Sequence, residues 1–205
     1  MQSEVPKQFL EISGIPVLMH TIRVFRETSP EIELILVIPK QHRQTWDDLC
    51  TNHSFGIPLS IAYGGITRFH SVKNGLALVK PGSLIAIHDG VRPLVSPKVI
   101  LNSFTIAEKY GTAIPAMPVT DSIRQKVKNT SKVLDRKEVR LIQTPQTFTY
   151  DILEKAYKQE FNDSFTDDSS VVEAAGYKIH LFEGNIENIK ITRNIDLKIA
   201  EALIG

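Results

Sequence analysis

Directly behind the apolar run Leu84-Ile85-Ala86-Ile87 stands His88-Asp89-Gly90-Val91-Arg92-Pro93, which sets a carboxylate and a guanidinium three residues apart. In open α/β sheets ligands collect beyond the carboxyl ends of the strands, so residues placed here are the first candidates for chemistry. A carboxylate in this position suits a hard Mg2+ ion held jointly with substrate phosphates. A loop salt bridge between Asp89 and Arg92 is the plainer alternative. Gly64-Gly65-Ile66-Thr67-Arg68 also follows an apolar run and opens a helical pattern. It brings pliant backbone and helix N-terminal amides to a place where an anion or a base edge could sit, although a simple tight turn would look the same. Asn188-Ile189-Lys190-Ile191-Thr192 puts one cation inside an apolar segment. Burying an unpaired ammonium is costly, so Lys190 should reach the surface or meet a phosphate or carboxylate. N-capping accounts for Thr166-Asp167-Asp168, and Asp121-Ser122 and Asp135-Arg136 read as turn residues.

Other chemistries find little support. The six histidines show no HxxH or HExxH spacing, which argues against a dedicated transition-metal site. There is no GxSxG elbow, and the single Cys50 excludes an intrachain disulfide framework or a CxxC zinc site. Scattered cations with one well-placed carboxylate suit phosphoryl or nucleotidyl transfer, where positioning and charge neutralisation supply most of the catalysis. With 24 Lys+Arg against 23 Asp+Glu the net charge is +1, so no global field draws in nucleic acid or an anionic membrane. No apolar stretch approaches the roughly 18 residues of a membrane helix. The expectation is a protein of the cytoplasm that binds neither nucleic acid nor membrane.

The elements that must position these residues follow from the hydrophobic pattern. The 205 residues suit one domain. Strand-length apolar runs at 34–38, 59–63, 84–87 and 112–116 alternate with helical periods at 16–27, 40–53, 67–79 and 97–110. That alternation predicts an α/β fold with a mostly parallel central sheet, its first and third strands covered on both faces. Ser96-Pro97 supplies an N-cap and an N1 proline, and Gly111 a stop. From 117 to 141 the apolar residues thin out among charges around a polar turn at 128–131, which predicts a projecting hairpin. Helices at 150–160, 168–175 and 195–203 and a strand at 178–182 complete the reading.

The clusters occur in one order: Pro6-Lys7-Gln8-Phe9-Leu10 with Gly14 and Pro16, Gly64-Gly65 with Arg68 and Ser71-Val72, His88 to Pro93, Ile114-Pro115-Ala116 with Asp121, Gln143-Thr144-Pro145-Gln146, Thr166-Asp167-Asp168, and Asn188 to Thr192. This series resembles the 2-C-methyl-D-erythritol 4-phosphate cytidylyltransferase family of the non-mevalonate isoprenoid pathway, from Glu4 to about Leu203. The resemblance implies a Rossmann-like nucleotidyltransferase sandwich whose 117–141 arm clasps a second subunit in a homodimer. It implies CTP and a sugar-alcohol phosphate as substrates, Mg2+ as cofactor, and pyrophosphate as the released product. By motif position, Lys7 matches the lysine that neutralises the triphosphate in the transition state, and Gly64, Gly65 and Ser71 match positions around cytosine and ribose. Asp89 matches the metal-linked, substrate-binding carboxylate, and Arg92, Thr144 and Lys190 match contacts to the acceptor phosphate ester. Ser122, where the family commonly has Thr, and Arg136 would reach into the partner's site.

One departure stands out. Members of the family normally begin with a strand and a Leu-Ala-Ala-Gly-x-Gly-x-Arg loop just before the position of Gln2, and these residues are absent from the 205. The expectation is that the natural start lies upstream of Met1, because removing an interior strand leaves ladder groups on its neighbours unpaired. Two alternatives stay open. The acceptor could be ribitol 5-phosphate, which parallel assays would separate. The chain could also be a non-catalytic dimeric nucleotide-binding module, which CTP binding with Mg2+ would test.

Overall fold

The computed structural model describes residues 6–204; Gln2 and Glu4, at the start of the expected motif series, lie outside them. A 3-10 turn at Lys7–Phe9 leads into a tight hairpin of β1 (Glu11–Ile12) and β2 (Ile15–Pro16). Ser13 and Gly14 take φ values of 50° and 75° there, the left-handed pair that a two-residue hairpin turn needs. Next come α1 (Val17–Thr28), β3 (Ile35–Ile38), α2 (Arg43–Asn52), β4 (Ser60–Tyr63), α3 (Arg68–Leu76), β5 (Leu84–Ile87), α4 (Pro97–Tyr110) and β6 (Thr112–Pro118). The helix signals at 96–111 act as the sequence predicts: Ser96 Oγ accepts from the Val99 amide, Pro97 opens α4, and Gly111 ends it at φ 84°.

The chain then leaves the body. β7 (Ile123–Val127) and β8 (Thr130–Leu134) pair only with each other, which is the expected projecting hairpin. It returns through β9 (Arg140–Ile142) and β10 (Gln146–Thr149) to α5 (Tyr150–Ala156), α6 (Asp168–Ala174), β11 (Leu181–Glu183) and α7 (Asn194–Ile204).

The architecture is α/β, and its strand pairing is more mixed than the alternating pattern implies. One sheet runs β11-β6-β10-β5, with β9 also on β6, and β3-β4 form a second pair. Among the described residues only β11-β6 and β3-β4 are parallel. β10 is antiparallel to both β5 and β6 because the chain exits along β6, makes the arm, and re-enters from the same end. The sequence reading misses β10, since Gln-Thr-Phe-Thr has no apolar run. Gln146 and Thr147 are nonetheless buried and satisfied: Gln146 Nε2 donates to Asp167 at 2.7 Å and Thr147 Oγ1 to Ser103 at 2.9 Å. The strand expected at 178–182 forms slightly later, as β11.

β3 and β5 are only partly buried, unlike the fully covered strands expected. Between them lies an apolar slot of about 910 Å3, walled by β3, β5, α3 and α1 residues such as Val37, Ile85, Val72 and Phe25. The strand edges facing it carry no strand partner among the described residues. On the other side of β5, Phe148 packs with Ile114, Leu153, Tyr157 and Val172 in the main core. Among the described residues no helix is long and apolar enough to cross a membrane.

Phe148 is 0% exposed. We therefore expect Phe148→Ala to cost about 3–5 kcal/mol in urea unfolding, while Val127→Ala on the exposed arm changes stability by less than about 0.5 kcal/mol. Equal losses at the two positions would contradict this placement of the core.

Candidate active site

β5 delivers His88 to Arg92 as a turn at its carboxyl end, and the turn is tied on three sides. The Arg92 amide closes it by donating to the Asp89 carbonyl at 3.0 Å. From α1, Thr21 Oγ1 donates to the Gly90 carbonyl at 3.1 Å. From the loop before β10, Thr144 Oγ1 accepts from the Asp89 amide at 3.1 Å and sits 2.9 Å from His88 Nδ1.

Asp89 lies at the centre. Its Oδ2 receives Lys190 Nζ at 3.0 Å and Arg92 Nε at 3.2 Å. Asp89 is 15% and Arg92 11% exposed, whereas Lys190 is 46% exposed, so the ammonium pairs with the carboxylate and still faces solvent. Both sequence expectations for Lys190 are met, and the Asp89–Arg92 salt bridge exists within a larger cluster. Burial pushes the Asp89 carboxyl up, but Lys190, Arg68 and Arg92 outweigh it and hold it below the ordinary carboxylate range. Two cations share one carboxylate, which leaves net positive charge for an incoming anion.

Lys190 is placed by a frame of amides, because no strand forms at 188–192. The buried Asn188 gives its Nδ2 to the Thr144 carbonyl at 2.8 Å, and its own carbonyl accepts from Arg92 Nη1 at 2.7 Å. Gln143 Nε2 donates to the Asn185 carbonyl at 2.9 Å. A Cβ on Gly184 would stand 2.2 Å from Gln143 Oε1, so only glycine lets this amide seat. The sequence motifs contain Gln143 and Asn188 but give them no role; their amides matter only once three loops meet.

The Gly64-Gly65 segment is a turn packed on the start of α3. Thr67 caps α3, Ser71 Oγ donates to the Thr67 carbonyl at 2.9 Å, and the Gly65 amide donates to Ser71 Oγ at 3.0 Å. A Cβ on Gly65 would lie 2.4 Å from that of His70, so the close approach requires glycine. Gly64, Gly65 and Ser71 are thus brought together as expected, beside the mouth of the slot that Asp89 also lines. Arg68, the next residue after the cap, forms a bidentate pair with the fully buried Asp168, which also accepts from Tyr157 Oη at 2.6 Å. Burial and then Asp168 push the Tyr157 phenol well above its usual range. Asp167 is the expected N-cap, with a reciprocal bond from Ser170. The Arg68–Asp168 pair is invisible to sequence spacing, since the two residues lie 100 positions apart.

Three expected residues stand apart from this cluster. Lys7 is exposed on its 3-10 turn, next to Gln8 at the slot. Ser122 and Arg136 share a small groove on the arm with Ile123, Val133 and Leu134, and the Arg136 guanidinium bonds to the Thr120 carbonyl. Among the described residues no hydrogen bond or ion pair links either arm residue, or Lys7, to Asp89 or Lys190. Among them, too, no three His, Cys, Asp or Glu side chains converge on a metal position. Asp89 Oδ1 makes no protein hydrogen bond there, so Asp89 would be the residue to hold a Mg2+ ion, which would supply charge neutralisation for bound phosphates.

His88 is buried against Phe25, with ring centroids 4.9 Å apart, and burial pulls its imidazole down from 6.5 to about 4. Between those values the unfolded chain takes up a proton that the folded chain refuses, so stability should rise with pH from about 4 to 6.5. The depressed carboxyls of Asp89 and Asp167 act below this window. In urea midpoints measured against pH, His88→Gln should flatten the slope between 4 and 6.5; an unchanged slope would contradict the buried neutral ring.

The family described as "IspD: 2-C-methyl-D-erythritol 4-phosphate cytidylyltransferase" matches residues 1–205. A 2-C-methyl-D-erythritol 4-phosphate cytidylyltransferase of Bacteroides fragilis is 50% identical over 204 residues, covering 100% of this chain and 93% of the relative. That of Bacteroides thetaiotaomicron is 48% identical over the same length and coverage. Among solved structures, the enzyme of that name from Thermus thermophilus superposes with a TM-score of 0.81 at 31% identity, over 97% of this chain and 93% of that one. The 4-diphosphocytidyl-2C-methyl-D-erythritol synthase of Anaerococcus prevotii gives 0.84 at 29% identity, over 96% and 92%. The ordered motifs, the cationic cluster at the end of β5 and these likenesses agree, and the chain belongs to the 2-C-methyl-D-erythritol 4-phosphate cytidylyltransferase family.

Proposed function

We propose that this protein joins CTP and 2-C-methyl-D-erythritol 4-phosphate to give 4-diphosphocytidyl-2-C-methyl-D-erythritol and pyrophosphate, a step of isoprenoid precursor synthesis. The observation that carries the reading is the Lys190–Asp89–Arg92 cluster, net positive and open to solvent through Lys190, at the carboxyl end of β5. In the reaction an oxygen of the acceptor phosphate bonds to the α-phosphorus of CTP while the α–β bridging bond breaks and its electrons leave on pyrophosphate. The attacking oxygen is already ionised at neutral pH, so no general base is needed, consistent with a buried, internally bonded His88. The work is to bring two anions together and hold them in line.

In this reading Gly64, Gly65 and Ser71 receive the nucleoside, and Lys7 neutralises the triphosphate. Arg92, Thr144 and Lys190 hold the acceptor. A magnesium ion bound by Asp89 and the phosphates would add charge neutralisation at the triphosphate. Ser122 and Arg136 act from the arm of a second copy, in a homodimer joined through residues 117–141. Among the described residues neither Ser122 nor Arg136 bonds to its own chain's Asp89, which supports this, as do the arm's exposed Val127, Val133 and Leu141, which a partner would cover. A cytoplasmic location suits the lone free Cys50.

Purified protein should release pyrophosphate from CTP with 2-C-methyl-D-erythritol 4-phosphate faster than with ribitol 5-phosphate; the reverse order would replace the acceptor. Lys190→Ala and Lys7→Ala should each lower kcat/KM by about 10² or more, the scale of a lost electrostatic stabiliser, and wild-type rates would remove that residue from the mechanism. Mixing inactive Lys190→Ala with inactive Arg136→Ala protein should restore activity, because one site of a mixed dimer keeps both cations. No recovery would show that Arg136 serves its own chain.

A further inference from the structure

Around the Asp89 turn runs a chain of hydrogen bonds whose directions are all forced. His88 Nε2 lies 3.0 Å from the Arg92 carbonyl oxygen, which can only accept, so Nε2 bears a proton. His88 Nδ1 lies 2.9 Å from Thr144 Oγ1. The ring is buried against Phe25, and no carboxylate hydrogen-bonds to it among the described residues, so nothing in contact compensates a second ring proton. Nδ1 is then bare, and the Thr144 hydroxyl must donate to it. The Asp89 amide donates to the same hydroxyl oxygen at 3.1 Å. Every bond therefore points one way: Asp89 amide to Thr144, Thr144 to His88, His88 to Arg92.

A hydroxyl has one proton and two lone pairs. Here the proton goes to His88 and one lone pair to Asp89, which leaves a single lone pair. We propose that His88 is a positioning residue that locks the Thr144 hydroxyl as a hydrogen-bond acceptor, so that Thr144 engages an alcohol hydroxyl of the acceptor substrate and turns away its phosphate. The phosphate is left to the cations at Asp89. This rests on the reading of the site as a sugar-alcohol phosphate site and adds the polarity that orients the substrate within it. The same chain fixes the Asp89 amide, and with it the turn that carries the carboxylate. Thr144 is thereby matched to a polyol end and mismatched to an anionic one, a discrimination that Lys190 and Arg92 alone would not make.

Long-range 1H–15N spectra of the wild-type protein at neutral pH test the core of the proposal. We expect His88 with a protonated Nε2 and a bare Nδ1; a protonated Nδ1 would overturn it, whatever the enzyme's substrate. Kinetics test the consequence. His88→Gln and Thr144→Val should each lower kcat/KM for the alcohol phosphate about tenfold, the worth of one lost hydrogen bond to a polar partner, with KM for CTP unchanged. The double variant should lose no more than the worse single, and Thr144→Ser, which keeps the hydroxyl, should recover most of the loss seen in Thr144→Val. A double loss near a hundredfold, or an equal effect on CTP, would show that His88 does not act through Thr144. If the wild-type protein turned over neither alcohol phosphate, the functional reading would fail while the ring tautomer still decided the hydrogen-bond chain.

Discussion

A single carboxylate, Asp89, is the point on which the site depends. It is mostly buried, and a buried charge is tolerated only when it is paired and hydrogen-bonded. Lys190 and Arg92 meet that demand together, which is why a segment a hundred residues further along the chain must fold back against the end of β5. Two cations on one anion leave the cluster positively charged, and half-exposure of Lys190 turns that excess toward solvent. The same arrangement that makes burial of Asp89 affordable in free energy makes the site attractive to phosphate.

Regular structure supplies only part of the support. β5 and α1 set the Asp89 turn, but residues 184–193 belong to neither helix nor strand beyond the N-terminal end of α7. They are fixed by side-chain amides instead. Gln143 and Asn188 bond to main-chain groups of two loops, at 143–145 and 184–193, and Gly184 exists where any side chain would displace Gln143. Planar amides offer a donor and an acceptor in fixed geometry, so they can join segments that have no ladder in common. The Arg68–Asp168 pair does a similar task next to the Gly64-Gly65 turn, joining the start of α3 to α6 through a bidentate contact whose carboxylate is fully buried.

The arm obeys a different rule. β7 and β8 have too few apolar residues to form a core, pair only with each other, and carry exposed Val127 and Val133. Such a hairpin gains little stability alone. Its Ser122–Arg136 groove and its apolar residues become useful when another surface covers them, so assembly and completion of the site are one event in the proposed dimer.

Local signals decided much of this protein at the level of sequence. Caps and glycine stops placed α4 and α6, apolar runs placed β3, β4 and β5, and the thinning of apolar residues marked the arm. The position of Asp89 behind an apolar strand and the isolated charge of Lys190 marked the candidate site, because each of these depends on neighbours close in the chain. Tertiary structure alone decided the rest. β10 is buried although its sequence is polar, since its side chains find partners on α4 and at Asp167. The antiparallel direction of that strand follows from where the chain re-enters the sheet, and the pairings of Asp89 with Lys190 and of Arg68 with Asp168 span about half the molecule. A hydrogen bond or an ion pair between distant residues leaves no period in the sequence; only the folded chain brings its two ends within reach.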